Sequence, residues 1–227
     1  AIAANKPVAV QSDGKIKEIK ETITVTDPPT TVPSSTSSAS SMIANRSRFN
    51  CCVYIPEKKR IVGGWLNDAN YNYPYLKAGK MNSDGTVTWG NQVQIETGQY
   101  NSWMSIAYDP DNDKVVALFK DGNYQSNSIM VCSAYTLADT TLTEVFKDKW
   151  VNSGGYTFEH MHLIWNKRKG FFACARWDGY GNRGYMDSFP PNYGTGAITD
   201  KVYTRWGPDD GSNEHAIKGY DVAQNTS

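Results

Sequence analysis

Residues 103–124 read WMSIAYDPDNDKVVALFKDGNY, and this stretch decides the fold. Two short apolar runs, Met104–Tyr108 and Val115–Phe119, flank the polar corner Asp109-Pro110-Asp111-Asn112-Asp113. Pro presets one backbone angle of a tight turn, and Asp and Asn side chains fold back onto nearby amides. β-branched and aromatic residues fill the straight segments. The reading is an antiparallel hairpin that ends in a loop carrying Asp121 and Asn123.

The same order occurs twice more. Residues 49–71, FNCCVYIPEKKRIVGGWLNDANY, precede it and residues 160–181, HMHLIWNKRKGFFACARWDGYG, follow it. Each hairpin leads into a second pair of apolar runs, YLKAGKMNSDGTVTWGNQVQIE at 75–96, SIMVCSAYTLADTTLTEVFKDKW at 128–150 and RGYMDSFPPNYGTGAITDKVYTRW at 183–206. Tyr54, Tyr108 and Trp165 fall at equivalent places, which sets a period of about fifty-five residues, in the range of propeller and solenoid units. Four antiparallel strands per unit describe a propeller blade. The fold class expected is therefore all-β, in propeller-blade-like four-stranded antiparallel repeats: about 49–100, 101–158 and 159–213. Residues 214–227 read as a partial fourth unit, because Glu214-His215 echoes Glu159-His160. Three units and part of another fall short of the four to eight that close a ring. The expectation is either a longer natural chain or association with other chains, since open strand edges invite pairing.

Composition divides the rest of the 227 residues. Every aromatic residue lies at or after Phe49, so residues 1–48 do not share that core. Residues 27–48 are read as a linker, on the strength of DPPTTVPSSTSSASS at 27–41, where Ser, Thr and Pro prevail. Residues 1–26 are read as a small anchoring or assembly β-element. In it KPVAVQ alternates, Ser12-Asp13-Gly14 supplies a turn, and KIKEIKETITV resumes the pattern. Such a module buries too little to stand alone and is expected to dock or oligomerise.

Charge excludes further classes. Lys+Arg and Asp+Glu are each 23, so no net field draws the chain to nucleic acid or an anionic membrane. The longest apolar run, Ile61–Leu66, is far shorter than a membrane span. The start, AIAANKPVAV, lacks the basic and apolar regions of a secretory signal and agrees with loss of an initiator Met or with a processed precursor. Cys51, Cys52, Cys132 and Cys174 have no CxxC spacing, so free thiols made in a reducing cytoplasm are expected.

IAYDPDNDKVVALFKDGNYQSNSIMV, YIPEKKRIVGGWLNDANY and AGKMNSDGTVTWGNQVQIE resemble repeats of structural proteins of tailed bacteriophages, found in tail fibres and other virion appendages. The opening NKPVAVQSDGKIKEI also resembles the starts of such proteins, where a short β-element precedes a linker. The third unit departs most, with NKRKGFF in place of the Asp-Pro turn. The resemblance implies a virion component, assembled in the host cytoplasm, that contacts other virion proteins of the tail, the portal-proximal region or the capsid. Fibre-like appendages imply a homotrimer or another homo-oligomer. Ser83-Asp84-Gly85-Thr86-Val87-Thr88-Trp89 is similar to a shortened Asp-box hairpin of sialidase propellers, a structural turn between the third and fourth strands.

Catalysis is not expected. A glycosidase needs two carboxylates facing across a sugar, whereas Asp68, Asp121 and Asp178 recur one per unit and read as turn caps. His160 and His162, with Glu159 and Cys174 nearby, have strand spacing that would put both imidazoles on one face, yet packing accounts for them better than a metal site. Asp109, Asp111 and Asp113 have calcium-loop spacing but lack the following Gly and Glu. No metal and no cofactor are expected. The candidates for contact with a host surface glycan or a protein partner are Tyr71, Tyr73, Tyr75, Tyr180 and Tyr185. The alternative function is thus a carbohydrate-binding propeller, lectin-like or a degenerate sialidase-like domain.

Overall fold

A computed structural model describes residues 8–10, 16–18, 42–43, 46–97, 101–121, 129–151, 158–167, 170–178, 183–190, 192–194 and 202–206. The chain divides into two units, Ala1–Ala39 and Ser40–Ser227, and the division falls inside the stretch read as linker. In the first unit, β1 (Val8–Val10) pairs antiparallel with β2 (Ile16–Glu18), Val10 opposite Ile16. This is the hairpin expected around Ser12-Asp13-Gly14.

Among the described residues the second unit holds three four-stranded antiparallel sheets, each a meander in chain order, and the partial fourth unit read at 214–227 lies outside them. Sheet 1 comprises β3 (Ser47–Ile55), β4 (Arg60–Asn67), β5 (Tyr73–Met81) and β6 (Val87–Gln94). Sheet 2 comprises β7 (Ser102–Asp109), β8 (Lys114–Asp121), β9 (Ile129–Ala138) and β10 (Thr141–Val151). Sheet 3 comprises β11 (Phe158–Asn166), β12 (Phe171–Asp178), β13 (Arg183–Phe189) and β14 (Val202–Trp206). No α-helix occurs among the described residues, and the one helical turn, Pro56–Lys58, is of 3-10 type.

The repeat holds at the level of register. Tyr54 pairs with Ile61, Tyr108 with Val115 and Trp165 with Phe172, and these partners pair in turn with Gly79, Tyr135 and Phe189. The first hairpin turn of each sheet has a left-handed residue five positions after that Tyr or Trp: Lys59 (φ 50°), Asp113 (φ 54°) and Gly170 (φ 63°). In the third unit, most divergent in sequence, this left-handed position is filled by glycine, which adopts it without steric cost. Each first strand also slips register near its start, between Arg48 and Cys51, Ser102 and Met104, and Glu159 and His162. Phe49 (φ 51°) and Trp103 (φ 50°) occupy this irregularity, and their rings meet at 4.6 Å.

The sheets pack face to face, with β7 against β3 on one side and β11 on the other. β8 explains why the central run is apolar at consecutive positions. Val115, Ala117 and Phe119 join Val62, Leu66 and Leu76 in the core between sheets 1 and 2. Val116 and Leu118 join Leu163, Trp165 and Phe172 between sheets 2 and 3. A strand covered on both faces buries both sets of alternate side chains. By contrast β6 keeps polar residues at exposed positions, as in Thr88, Asn91 and Gln92.

Charged turns tie sheet 1 to sheet 2. Lys58 Nζ lies 2.5 Å from Asp113 and donates to the Leu137 carbonyl, while Arg60 pairs with Asp139 and donates from Nε to its carbonyl at 2.9 Å. Lys147 Nζ donates to the Ile95 carbonyl at 2.7 Å, and Lys149 Nζ pairs with Glu96 at 2.8 Å. A Cβ at Gly90 would fall inside contact distance of the Thr140 carbonyl oxygen, so β6 approaches the β9–β10 turn closely enough to require glycine.

Candidate recognition site

The loop from Asn67 to Tyr73 builds the most exposed aromatic feature described. Asn67 starts it: its Oδ1 accepts from the Ala69 amide, and its carbonyl accepts from the amides of Asn70 (3.1 Å) and Asn72 (2.9 Å). The Asn70 carbonyl accepts from the Tyr73 amide at 3.0 Å. Tyr71 (φ 49°) and Asn72 (φ 59°) are both left-handed. Residues held there store about 1–3 kcal/mol each and persist only where the surroundings enforce them. Part of that enforcement comes from Asn101, itself buried, whose Nδ2 donates to the Asn72 carbonyl at 3.2 Å.

This backbone presents Tyr71, 56% exposed, beside the half-buried Tyr73, with ring centroids 6.3 Å apart at 44°. Asp68 lies beneath the loop and takes two guanidinium groups, Arg46 Nε and Arg48 Nε, each at 2.8 Å. The Asp68 amide donates to the Arg46 carbonyl at 3.0 Å, so the loop is fastened to the entry of β3. Two rings and two exposed guanidinium groups around a fixed loop can stack on a sugar and hydrogen-bond its hydroxyls.

The sequence candidates separate here. Tyr71 and Tyr73 come together, whereas Tyr75 is 7% exposed: it stacks on Trp65 at 5.8 Å and donates its hydroxyl to Gln94 Oε1. Tyr75 is a packing residue because β5 has begun at Tyr73 and its ring lies on the Trp65 face. Tyr180 lies outside the described residues. Tyr185 sits on β13 opposite Arg176, its side chain outside them too. Arg46 and Arg48 were missed by the sequence reading, which assigned both to the linker. Their signal is weak: two arginines either side of Ser47, with the carboxylate they hold twenty residues onward.

Asp68, read as a turn cap, is an ion-pair acceptor, and Asp121 takes Lys149 at 3.4 Å; the loops that Asp121 and Asp178 would cap lie outside the described residues. Asp109, fully buried, does cap its turn: its Oδ1 accepts from the amides of Asp111 and Asn112, and its Oδ2 accepts from the Tyr193 hydroxyl at 2.8 Å. Burial, then the Asp109 charge, push the Tyr193 phenol upward. Asp113 points instead to Lys58 and the Tyr108 hydroxyl, so the carboxylates of Asp109 and Asp113 diverge. Burial alone would raise Asp113, but those two hydrogen bonds hold it below the usual range.

Of the histidine pair, the His160 side chain lies outside the described residues, and a register slip falls between Glu159 and His162. His162 pairs with Ala175, while Cys174 pairs with Leu163 and both of those enter the core toward sheet 2, the face away from His162. Among the described residues no three His, Cys, Asp or Glu side chains are placed to hold a metal ion. The Asp84 hairpin lies between β5 and β6, the third and fourth strands of its sheet, as the Asp-box comparison implied. Its carboxylate accepts from the Thr86 hydroxyl (2.7 Å) and amide (2.9 Å), which keep it below the ordinary carboxylate range. No protein-family model and no curated protein matches this chain.

Proposed function

We propose that this chain is a non-enzymatic structural component of a tailed-bacteriophage virion, a tail fibre or another appendage. In this reading its N-terminal hairpin attaches to the particle, and its sheets are the blades of a propeller-like array that assembles or meets the host surface. The observation that carries the reading is the threefold reuse of one packing unit. Register, the left-handed residue of the first turn and the first-strand slip recur in the three described sheets, and charged turns join sheet 1 to sheet 2. Such a unit supplies area and rigidity, and many copies around a particle axis convert weak contacts into firm attachment. A homo-oligomer, with a trimer as first expectation, suits that use.

The test is recovery of the chain's peptides from intact particles of the phage that encodes it. Stoichiometric recovery supports the assignment, and hydrolysis of a sialoside reporter by the purified chain overturns the non-enzymatic reading. The Tyr71–Tyr73 pair favours a second reading, a carbohydrate-binding propeller on the same particle. Glycan-array binding that disappears in Tyr71→Ala or Tyr73→Ala supports it; binding unchanged in both variants contradicts it.

A further inference from the structure

Loop 67–73 carries two costly features side by side. Tyr71 and Asn72 are consecutive left-handed residues, and the Asn72 Oδ1 is buried with no hydrogen-bond partner among the described residues. Strained backbone and unsatisfied buried acceptors gather at binding sites, where the surrounding fold enforces a geometry that a ligand uses. What the strain holds in place is Tyr71, 56% exposed, beside the half-buried Tyr73.

The charged groups at the foot of the loop narrow the kind of ligand. Arg46 and Arg48 each bring Nε to within 2.8 Å of Asp68, and their side chains stay 77% and 53% exposed while that of Asp68 is 12% exposed. Two cations share one anion, so the group keeps one positive charge in excess. A guanidinium has donors and no acceptor, and its planar fork matches the oxygens of a carboxylate or sulfate. The one carboxylate is held by both cations, so toward a ligand these charged groups are donors alone. A neutral sugar hydroxyl is matched best by a donor and an acceptor together, whereas an anionic group needs donors only. Asp68 and Tyr71 are three residues apart, which limits their Cα atoms to a separation of about 11 Å, within the reach of a short oligosaccharide.

We propose, building on the carbohydrate-binding reading above, that this site takes an acidic oligosaccharide: Arg46 and Arg48 hold its carboxylate or sulfate group, and a sugar face rests on the ring of Tyr71. Charge favours a saccharide over a nucleic acid. Lys+Arg and Asp+Glu are 23 each in the whole chain, and a phosphate backbone is held by a series of cations where this site has one positive charge in excess. The attraction acts at exposed groups, so salt screens it.

The experiment titrates the full chain by calorimetry with two matched pairs, oligogalacturonate with its methyl ester and dextran sulfate with dextran; the first pair reports on carboxylate and the second on sulfate. The expected result is that at least one acidic member binds about tenfold tighter than its neutral counterpart, as a hydrogen bond to a charged group gives, with the ratio shrinking as salt is raised. Arg46→Gln and Arg48→Gln each remove the excess charge at an exposed position, are expected to keep the native circular dichroism, and should bring the ratio toward one. Lys80→Gln removes an equal charge from the far end of β5 and should leave the ratio unchanged. Equal binding within both pairs, lost in Tyr71→Ala, overturns the acidic class and leaves the saccharide reading standing, whereas no binding of any member overturns both. A preference that survives Arg46→Gln and Arg48→Gln, or that falls as far in Lys80→Gln, overturns the placement at this loop. Tighter binding of single-stranded DNA than of either acidic saccharide overturns the ligand class.

Discussion

Sheets 1 and 2 carry the same register on the face that bears Tyr54 and Tyr108, yet one is open where the other is closed. In sheet 2 the row Val115–Tyr135 is fully buried. In sheet 1 the row Ile61–Gly79 has a glycine where sheet 2 has its tyrosine, and Tyr54 next to it is 46% exposed. The difference shows that burial in this chain is set by position in the stack as much as by residue type. A repeat unit completes its core only when another unit lies on it.

Four expectations probe that contrast, beginning with the largest. Tyr135→Ala removes a fully buried ring and should destabilise the protein by about 3–5 kcal/mol in urea unfolding, whereas Tyr54→Ala in dilute solution should stay within about 0.5 kcal/mol of the parent. Equal losses would mean that the two faces are equally covered. Gly90→Ala meets a backbone carbonyl, at Thr140, and should cost about 1–3 kcal/mol; Gly79→Ala meets only the side chains of Val87 and Trp89 and should cost less. The reverse ranking would show that β6 does not rest on the β9–β10 turn.

Lys58→Ala and Arg60→Ala remove contacts between the turns of sheets 1 and 2. Each should cost about 0.2–1 kcal/mol, less in high salt, because the aspartate of each pair is well exposed to solvent. The smallest effect is in pH. Burial opposes ionisation of Glu96, but hydrogen bonds from Lys149 and the Thr97 amide hold it below the usual carboxylate range. Asp113 is lowered in the same sense. A depressed folded-state value gives stability that is present above the unfolded value, about 4, and lost as pH falls through the folded one. Thermal melts should therefore fall on acidification below about pH 4, and Lys149→Ala should flatten that limb. A melt that rises on acidification would reverse the sign.

Much of this architecture could be read from residues alone. Polar corners between apolar runs, PEKK, DPDND and NKRK, gave away the hairpins, and the positions of Tyr54, Tyr108 and Trp165 gave the repeat. The partition of Val115–Phe119 between two cores was not legible, since a run that is apolar at every position carries no alternation to assign. Lys59 and Asp113 in left-handed turns were equally silent until Gly170 appeared at the same place. At the candidate site, three tyrosines at alternate positions suggested one exposed set, but the chain turns at Tyr71 and Asn72 and enters a strand at Tyr73, which separates Tyr71 from Tyr75. Arg46 and Arg48 act through Asp68, a partner that only the fold brings near.

The most direct measurement compares one pair of equivalent positions in a chain whose Cys52 is replaced by Ser. Met81→Cys and Leu137→Cys are labelled separately with maleimide in dilute protein. The packing rule predicts fast reaction at position 81 and slow reaction at 137. Equal rates at the two positions, or a faster reaction at 137, would contradict the account.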